Sequence, residues 1–341
     1  MTGAQLAVRD VDGASVGDLD AFVRDVARPG MPVVLRGLCR DWPATQASGQ
    51  SRAALVAYLA RLDAGRTAEA FVGDPTIAGR YTYGKDLAGF NFTRESLRFG
   101  DALGRIVAAA DAPETESVYL GSLPTDAYLP GFAADNAVPI VPPTARPRIW
   151  LGTASSVACH YDTFDNLACV VAGTRRFTLY PPDAIGNLYV GPIDHTMAGQ
   201  PISLAAGADT DDPRYPDFPA ARGRAMVVDL APGDALYMPK LWWHSVEATA
   251  PFNMLVNYWW DGFAAGPDAP YTAMLLSMIA IAERPPAERA AWRAFFDHYV
   301  FRPNGHPLAH LPDAQHGILG ALGGGNYGRI RAWVMKTLRG G

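Results

Sequence analysis

Cysteine, charge and long apolar runs are all scarce in this chain of 341 residues. The three cysteines, Cys39, Cys159 and Cys169, are scattered and include no Cys-x-x-Cys pair, so they offer no disulfide framework and read as reduced thiols in a cytoplasm. Charged residues reach 18%, against about 25% in ordinary soluble proteins. The 34 acidic and 29 basic side chains leave a net charge of −5 without any basic run, so the electrostatic footprint of a nucleic-acid binder is missing. The longest apolar run, around Met274 to Ala282, falls far short of the ~20 residues that span a bilayer. The opening MTGAQLAVRDVDGAS lacks the basic and then apolar order of a secretory leader. Internal repeats are absent as well, and the expectation is a soluble cytoplasmic protein without a membrane partner.

What is present is apolar residue, at 49% of the chain, enough for a large core and an oligomeric interface besides. Val16, Leu19, Phe22, Val23 and Val26 follow a helical spacing that Pro29-Gly30 stops, and "MPVVLRGL" follows as a strand. Leu55 to Leu62 and Leu97 to Ala110 predict two further helices. From about 117 to 262 the texture changes to short β-type runs separated by Pro, Gly and Asp, which predicts a sandwich or barrel. After Gly266 helical periods return, at 270–283, Trp292 to Val300 and Ile330 to Leu338.

Within the β body, "SSVACHYDTFDN" places His160 two residues from Asp162. In an extended chain these two side chains share a face and Tyr161 takes the other. A second histidine completes a two-imidazole, one-carboxylate set that holds non-heme iron(II) with positions left open, and "GDALYMPKLWWHSVEA" supplies His244 in an apolar, aromatic setting. An isolated His-x-Asp is common, and a histidine among aromatics is often only a hydrogen-bonded core residue, so the pair needs its context. By the same alternation Cys159 points away from the site, and Asp234 in "PGD" reads as a turn residue.

That context is a resemblance. "PVVLRGLCRDWPA", "VYLGSL", "HYDTFDNLACVVAGTRRFTLYPPD" and "PGDALYMPKLWWHSVEA…NMLVNYWW" occur in the order found in the JmjC and cupin-like (cupin 8) Fe(II)/2-oxoglutarate-dependent oxygenases, within which the chain resembles the asparaginyl hydroxylase of the hypoxia response. The resemblance covers roughly residues 30 to 262. It implies that His160, Asp162 and His244 are the iron ligands and that Arg175, where many relatives have Lys, anchors the distal carboxylate of 2-oxoglutarate. Arg can bind a carboxylate through two parallel hydrogen bonds. It further implies that Tyr119 touches that carboxylate, that Asn166 and Asn257 lie near co-substrate and metal, and that Trp259 flanks the site. Taken from the residues alone, Trp259 reads first as a core aromatic. Val157 stands where the family has a threonine, so one hydroxyl contact to the co-substrate is lost.

The fold expected is mainly β with flanking α: a double-stranded β-helix, or jelly roll, within a cupin-like oxygenase domain of residues 1–265, followed by a helical region 266–341 that pairs two copies. The function the resemblance implies is an Fe(II)- and 2-oxoglutarate-dependent dioxygenase that hydroxylates a polypeptide side chain with dioxygen, releasing succinate and CO2. The rivals are an oxygenase of the same chemistry acting on a small molecule or RNA, and a cupin-type metal protein without 2-oxoglutarate chemistry. Substrate choice is expected in loops such as 64 to 95 and 186 to 224, which carry no motif.

Overall fold

The computed structural model describes residues 7–340 apart from 198, 209–211, 263–265 and 267. Its strands are β1 (Arg9–Asp12), β2 (Val33–Arg36), β3 (Thr67–Gly73), β4 (Arg80–Tyr81), β5 (Thr93–Arg98), β6 (Ser117–Pro124), β7 (Pro147–Gly152), β8 (Ser155–Tyr161), β9 (Asp165–Ala172), β10 (Arg175–Tyr180), β11 (Met226–Leu230), β12 (Ala235–Met238), β13 (Trp243–Ala248) and β14 (Asn253–Trp260). The last eight form two facing antiparallel layers, β12-β9-β14-β7 and β11-β10-β13-β8, which is a jelly roll. β2 and β1 extend the first layer at one edge, and β6, β3 and β5 extend it at the other. β4 joins the second layer, parallel to β8.

Strand alternation explains why β9 is apolar along nearly its whole length. Leu167, Cys169 and Val171 pack into the core shared with the outer helices, while Ala168 and Val170 face the jelly-roll interior, so both faces are covered. β14 divides in the same way, with Met254, Val256 and Tyr258 on the helical side and Leu255 inside. Helices Arg52–Leu62 and Phe99–Asp111 supply Leu55, Leu59, Leu103 and Ile106 to that outer core. Gly173, at φ +72, makes the turn from β9 to β10; a Cβ there would sit 2.7 Å from the Phe252 carbonyl oxygen.

Three expectations from the sequence are corrected in detail. The helix expected over 16–26 begins only at Leu19, because Asp18 caps it through the Ala21 N–H, and its last turn widens over Val23–Ala27. Leu97 belongs to β5 rather than to the following helix. The β body starts well before residue 117, since segment 64–95, expected as loop, forms β3, β4 and the first half of β5.

The chain divides into two compact units, Met1–Gly262 and Phe263–Gly341. The boundary expected after residue 265 abuts residues 263–265, which lie outside the described residues. The second unit contains helices Pro270–Ile281, Pro286–Phe296 and Asn326–Leu338, and no residue of the first two is buried. No helix among the described residues is long and apolar enough to cross a membrane.

Candidate active site

The jelly-roll interior is filled at one end by Val34, Phe177, Leu236 and their neighbours and opens at the other into a cavity of about 480 Å³. β8 and β13 pair antiparallel with His160 opposite His244, ring centroids 4.4 Å apart. Asp162 follows directly after β8, and the donor atoms of His160, Asp162 and His244 all lie within 4.8 Å of one another. His160 Nδ1 meets the Ala158 carbonyl oxygen at 2.8 Å and His244 Nδ1 meets that of Trp242 at 3.0 Å. A carbonyl only accepts, so each Nδ1 carries a proton, and Nε2 is the nitrogen left to offer a lone pair to a metal. Burial, and then the neighbouring His160, pushes His244 down to about 4, which keeps it neutral and able to ligate near pH 7. Two imidazoles and one carboxylate, with no thiolate, form a donor set that fits iron(II).

A relay of hydrogen bonds fixes the carboxylate. Trp150 Nε1 donates to Asn257 Oδ1 at 2.7 Å, Asn257 Nδ2 to Asn166 Oδ1 at 3.2 Å, and Asn166 Nδ2 to Asp162 Oδ2 at 3.2 Å. An indole can only donate, so Trp150 sets the orientation of both amides in turn. Trp259 Nε1 gives the same Asp162 oxygen a second bond at 3.1 Å. Trp259 thus touches the site directly, more than the core role its sequence suggests. Gly121 makes room for this arrangement: a Cβ there would lie 2.1 Å from the Trp150 ring.

In the same cavity, on β10 beside the strand that carries His244, Arg175 is 3% exposed, and its Nε and Nη2 have no hydrogen-bond partner among the described residues. A buried guanidinium with two idle donors is a costly arrangement that an incoming carboxylate would relieve. Burial lowers its pKa, opposed by Tyr119, which also lines the cavity. The next candidate anchors are engaged elsewhere. Arg176 points outward to Asp229 at 2.8 Å, and Lys240 pairs with Asp261 and Asp165.

Val157 lines the cavity although it stands three residues before His160. The pairing steps from His160–His244 to Val157–Val246, three residues on β8 against two on β13, and this bulge turns both side chains inward. Cys159 faces the opposite side, packed with Tyr180 and Trp243. Sequence reasoning missed Arg148, Phe71, Tyr81, Phe92, Arg94 and Gln200, which complete the wall. Four of these come from segment 64–95, whose strands carry few β-branched residues.

Residues 19–266 match the cupin-like domain family. The chain belongs to that family. It is similar to Jumonji C domain-containing protein 5 of Drosophila melanogaster, 27% identical over 262 residues, 74% of this chain and 60% of that protein. It is 26% identical over 266 residues to Lysine-specific demethylase JMJ30 of Arabidopsis thaliana, 76% of this chain and 56% of that protein. It is 31% identical over 147 residues to human HSPB1-associated protein 1, 42% of this chain and 30% of that protein. The chain thus spans 60% or less of each of these relatives. Within the cupin-like family the jelly roll is the shared scaffold, and chemistry follows from side chains such as those around His160.

Proposed function

We propose that the protein is an iron(II)- and 2-oxoglutarate-dependent oxygenase that hydroxylates a side chain of a polypeptide. The observation that carries this reading is the buried guanidinium of Arg175, with Nε and Nη2 unpartnered among the described residues, in the cavity that His160, Asp162 and His244 also line. A cupin-type metal protein without 2-oxoglutarate has no use for such a charge. The metal and co-substrate, with dioxygen, supply the oxidising power that converts a substrate C–H to C–OH as succinate and CO2 are released.

Each residue's part follows from its contacts. Through Nε2, His160 and His244 hold the metal together with Asp162, and Trp259 and Asn166 keep the Asp162 carboxylate from rotating. Arg175 receives the distal carboxylate of 2-oxoglutarate, with the Tyr119 hydroxyl beside it. Val157, Phe177 and Leu255 line the cavity with hydrocarbon and exclude water, which strengthens the charge contacts.

Relatives with Jumonji C and demethylase names support a protein substrate. They also favour a second reading, in which the hydroxylated carbon is an N-methyl group that is then lost. One experiment tests both: succinate release from host extract, followed by a mass-spectrometric search for gains of about 16 Da or losses of about 14 Da on proteins, since this chemistry inserts one oxygen atom. Shifts confined to metabolites would overturn the polypeptide substrate.

Helices Pro270–Ile281 and Pro286–Phe296 leave Ile279 at 84% and Phe295 at 57% exposed. We read this apolar surface as the contact of a homodimer. The three free, buried cysteines support a reducing, cytoplasmic setting.

A further inference from the structure

Arg148 extends from β7 into the wall of the cavity. Its Nε donates to Ser122 Oγ and its Nη2 to the Ser122 carbonyl oxygen at 2.9 Å, while the guanidinium lies 5.9 Å from the centre of the Trp259 ring. These contacts hold the head group without neutralising it. No carboxylate among the described residues forms an ion pair with it; Asp126 acts on it only through space. Nη1 has no hydrogen-bond partner among the described residues. Of the other two arginines of the wall, Arg175 and Arg94, the latter is balanced by Glu69 at 3.4 Å.

Charge addition then isolates Arg148. A divalent metal, the Asp162 carboxylate, the two carboxylates of 2-oxoglutarate and Arg175 sum to zero. The Arg94–Glu69 pair is neutral, and a histidine ligates a metal as an uncharged imidazole. One positive charge remains in the loaded cavity, and it is separated from the Asp162 carboxylate by the indole of Trp259, which touches both. Gln200 adds an acceptor: its Oε1 is buried in the same wall without a hydrogen-bond partner among the described residues. One residue of a peptide can meet both needs, with an N–H for Gln200 and an acidic side chain for Arg148.

We propose that Arg148 binds a carboxylate of the substrate, so that the side chain entering the cavity is an aspartate or glutamate of a peptide and a lysine is rejected. The single free nitrogen suits one carboxylate oxygen better than the several oxygens of a phosphate. The inference rests on the oxygenase reading above and deepens it.

The test uses the full chain loaded with Mn(II) and N-oxalylglycine, a non-reacting analogue of 2-oxoglutarate. It is applied to an array of Gly-Ser-Xaa-Ser-Gly peptides in which Xaa is Asp, Glu, Asn, Gln, Lys, trimethyl-lysine or phosphoserine. The parent protein should retain the Asp and Glu peptides at least about tenfold better than the Lys peptide, the scale of one charge-assisted hydrogen bond. Arg148→Lys should keep that preference, Arg148→Gln should level it and Arg148→Glu should reverse it, with thermal midpoints confirming that each variant is folded. Equal or better retention of lysine or trimethyl-lysine, preference for phosphoserine, retention of no acidic peptide, or an unchanged preference in Arg148→Glu would each overturn the assignment. Separate titrations of Mn(II) and N-oxalylglycine distinguish the two levels. Binding of both without acidic preference sinks only the role of Arg148, whereas binding of neither removes the oxygenase reading and this inference with it.

Discussion

Asn257 donates its side-chain N–H to the Asn166 oxygen at 3.2 Å, and through that one contact an indole on β7 determines how a cavity carboxylate is held. Asn257→Asp preserves the acceptor that Trp150 uses and turns the donor to Asn166 into a charged acceptor, toward which the Asn166 amide N–H turns. Asp162 then loses one of its two bonds. Iron(II) or Mn(II) affinity, measured by titration without 2-oxoglutarate, should fall on the order of 10- to 100-fold, the usual cost of losing a group that orients a ligand. An unchanged affinity would show that the relay does not orient Asp162.

Replacing any one of His160, Asp162 or His244 by Ala leaves two ligands, too few to hold the metal against water. Metal analysis of the purified variants should find stoichiometric iron in the parent alone. All three variants have room to fold, because each change removes a group from the wall of an existing cavity. Iron retained by all three would place the metal elsewhere.

Arg175→Met separates stability from function. Without ligand, the change replaces a buried and unpartnered charge by a thioether of similar length, so the thermal midpoint should hold or rise. Affinity for 2-oxoglutarate should fall by about 2–5 kcal/mol, because the bound carboxylate loses its countercharge. Isothermal titration and a melting curve read the two effects, and parent-like binding of 2-oxoglutarate would rule out Arg175 as the anchor.

Gly121→Ala forces the Trp150 ring out of its seat. Overpacking of this kind costs roughly 1–3 kcal/mol, and the displaced indole no longer reaches Asn257. A lower midpoint in urea together with an altered near-ultraviolet circular dichroism spectrum is expected. A spectrum identical to the parent's would mean that the backbone shifts instead of the ring.

A homodimer built on the C-terminal helices should sediment as such at micromolar concentration. Ile279→Glu combined with Phe295→Glu should convert it to monomer, because each places a charge on an exposed apolar surface. A monomeric parent would leave the exposed face without its twofold partner.

The sequence determined the parts of this protein whose signal is local. His160 and Asp162 share a face because they are two residues apart around the end of a strand, and the apolar runs of β9, β10, β12 and β14 announce a jelly roll through period and turn residues. Other parts have no local signal. β3 is built largely of Ala, Glu and Thr, and β5 is a polar edge strand that reads as loop, so the wall they provide was invisible until both paired with neighbours. The inward turn of Val157 depends on a bulge measured between two strands, and alternation along β8 alone points it the wrong way. Trp259 looked like core because nothing beside it in sequence shows that Asp162, on another element, accepts its N–H. Whether a charge has a partner is likewise a property of space. Arg175 and Arg176 are adjacent in the chain, yet β10 turns one into the cavity, buried, and the other toward Asp229 and solvent. Arg148 became distinctive only when the folded wall brought it an aromatic ring and a serine but, among the described residues, no carboxylate ion pair. Short-range pattern thus chose the elements and the metal-ligand candidates, while the pairing of distant strands decided which charges the cavity leaves for its ligands.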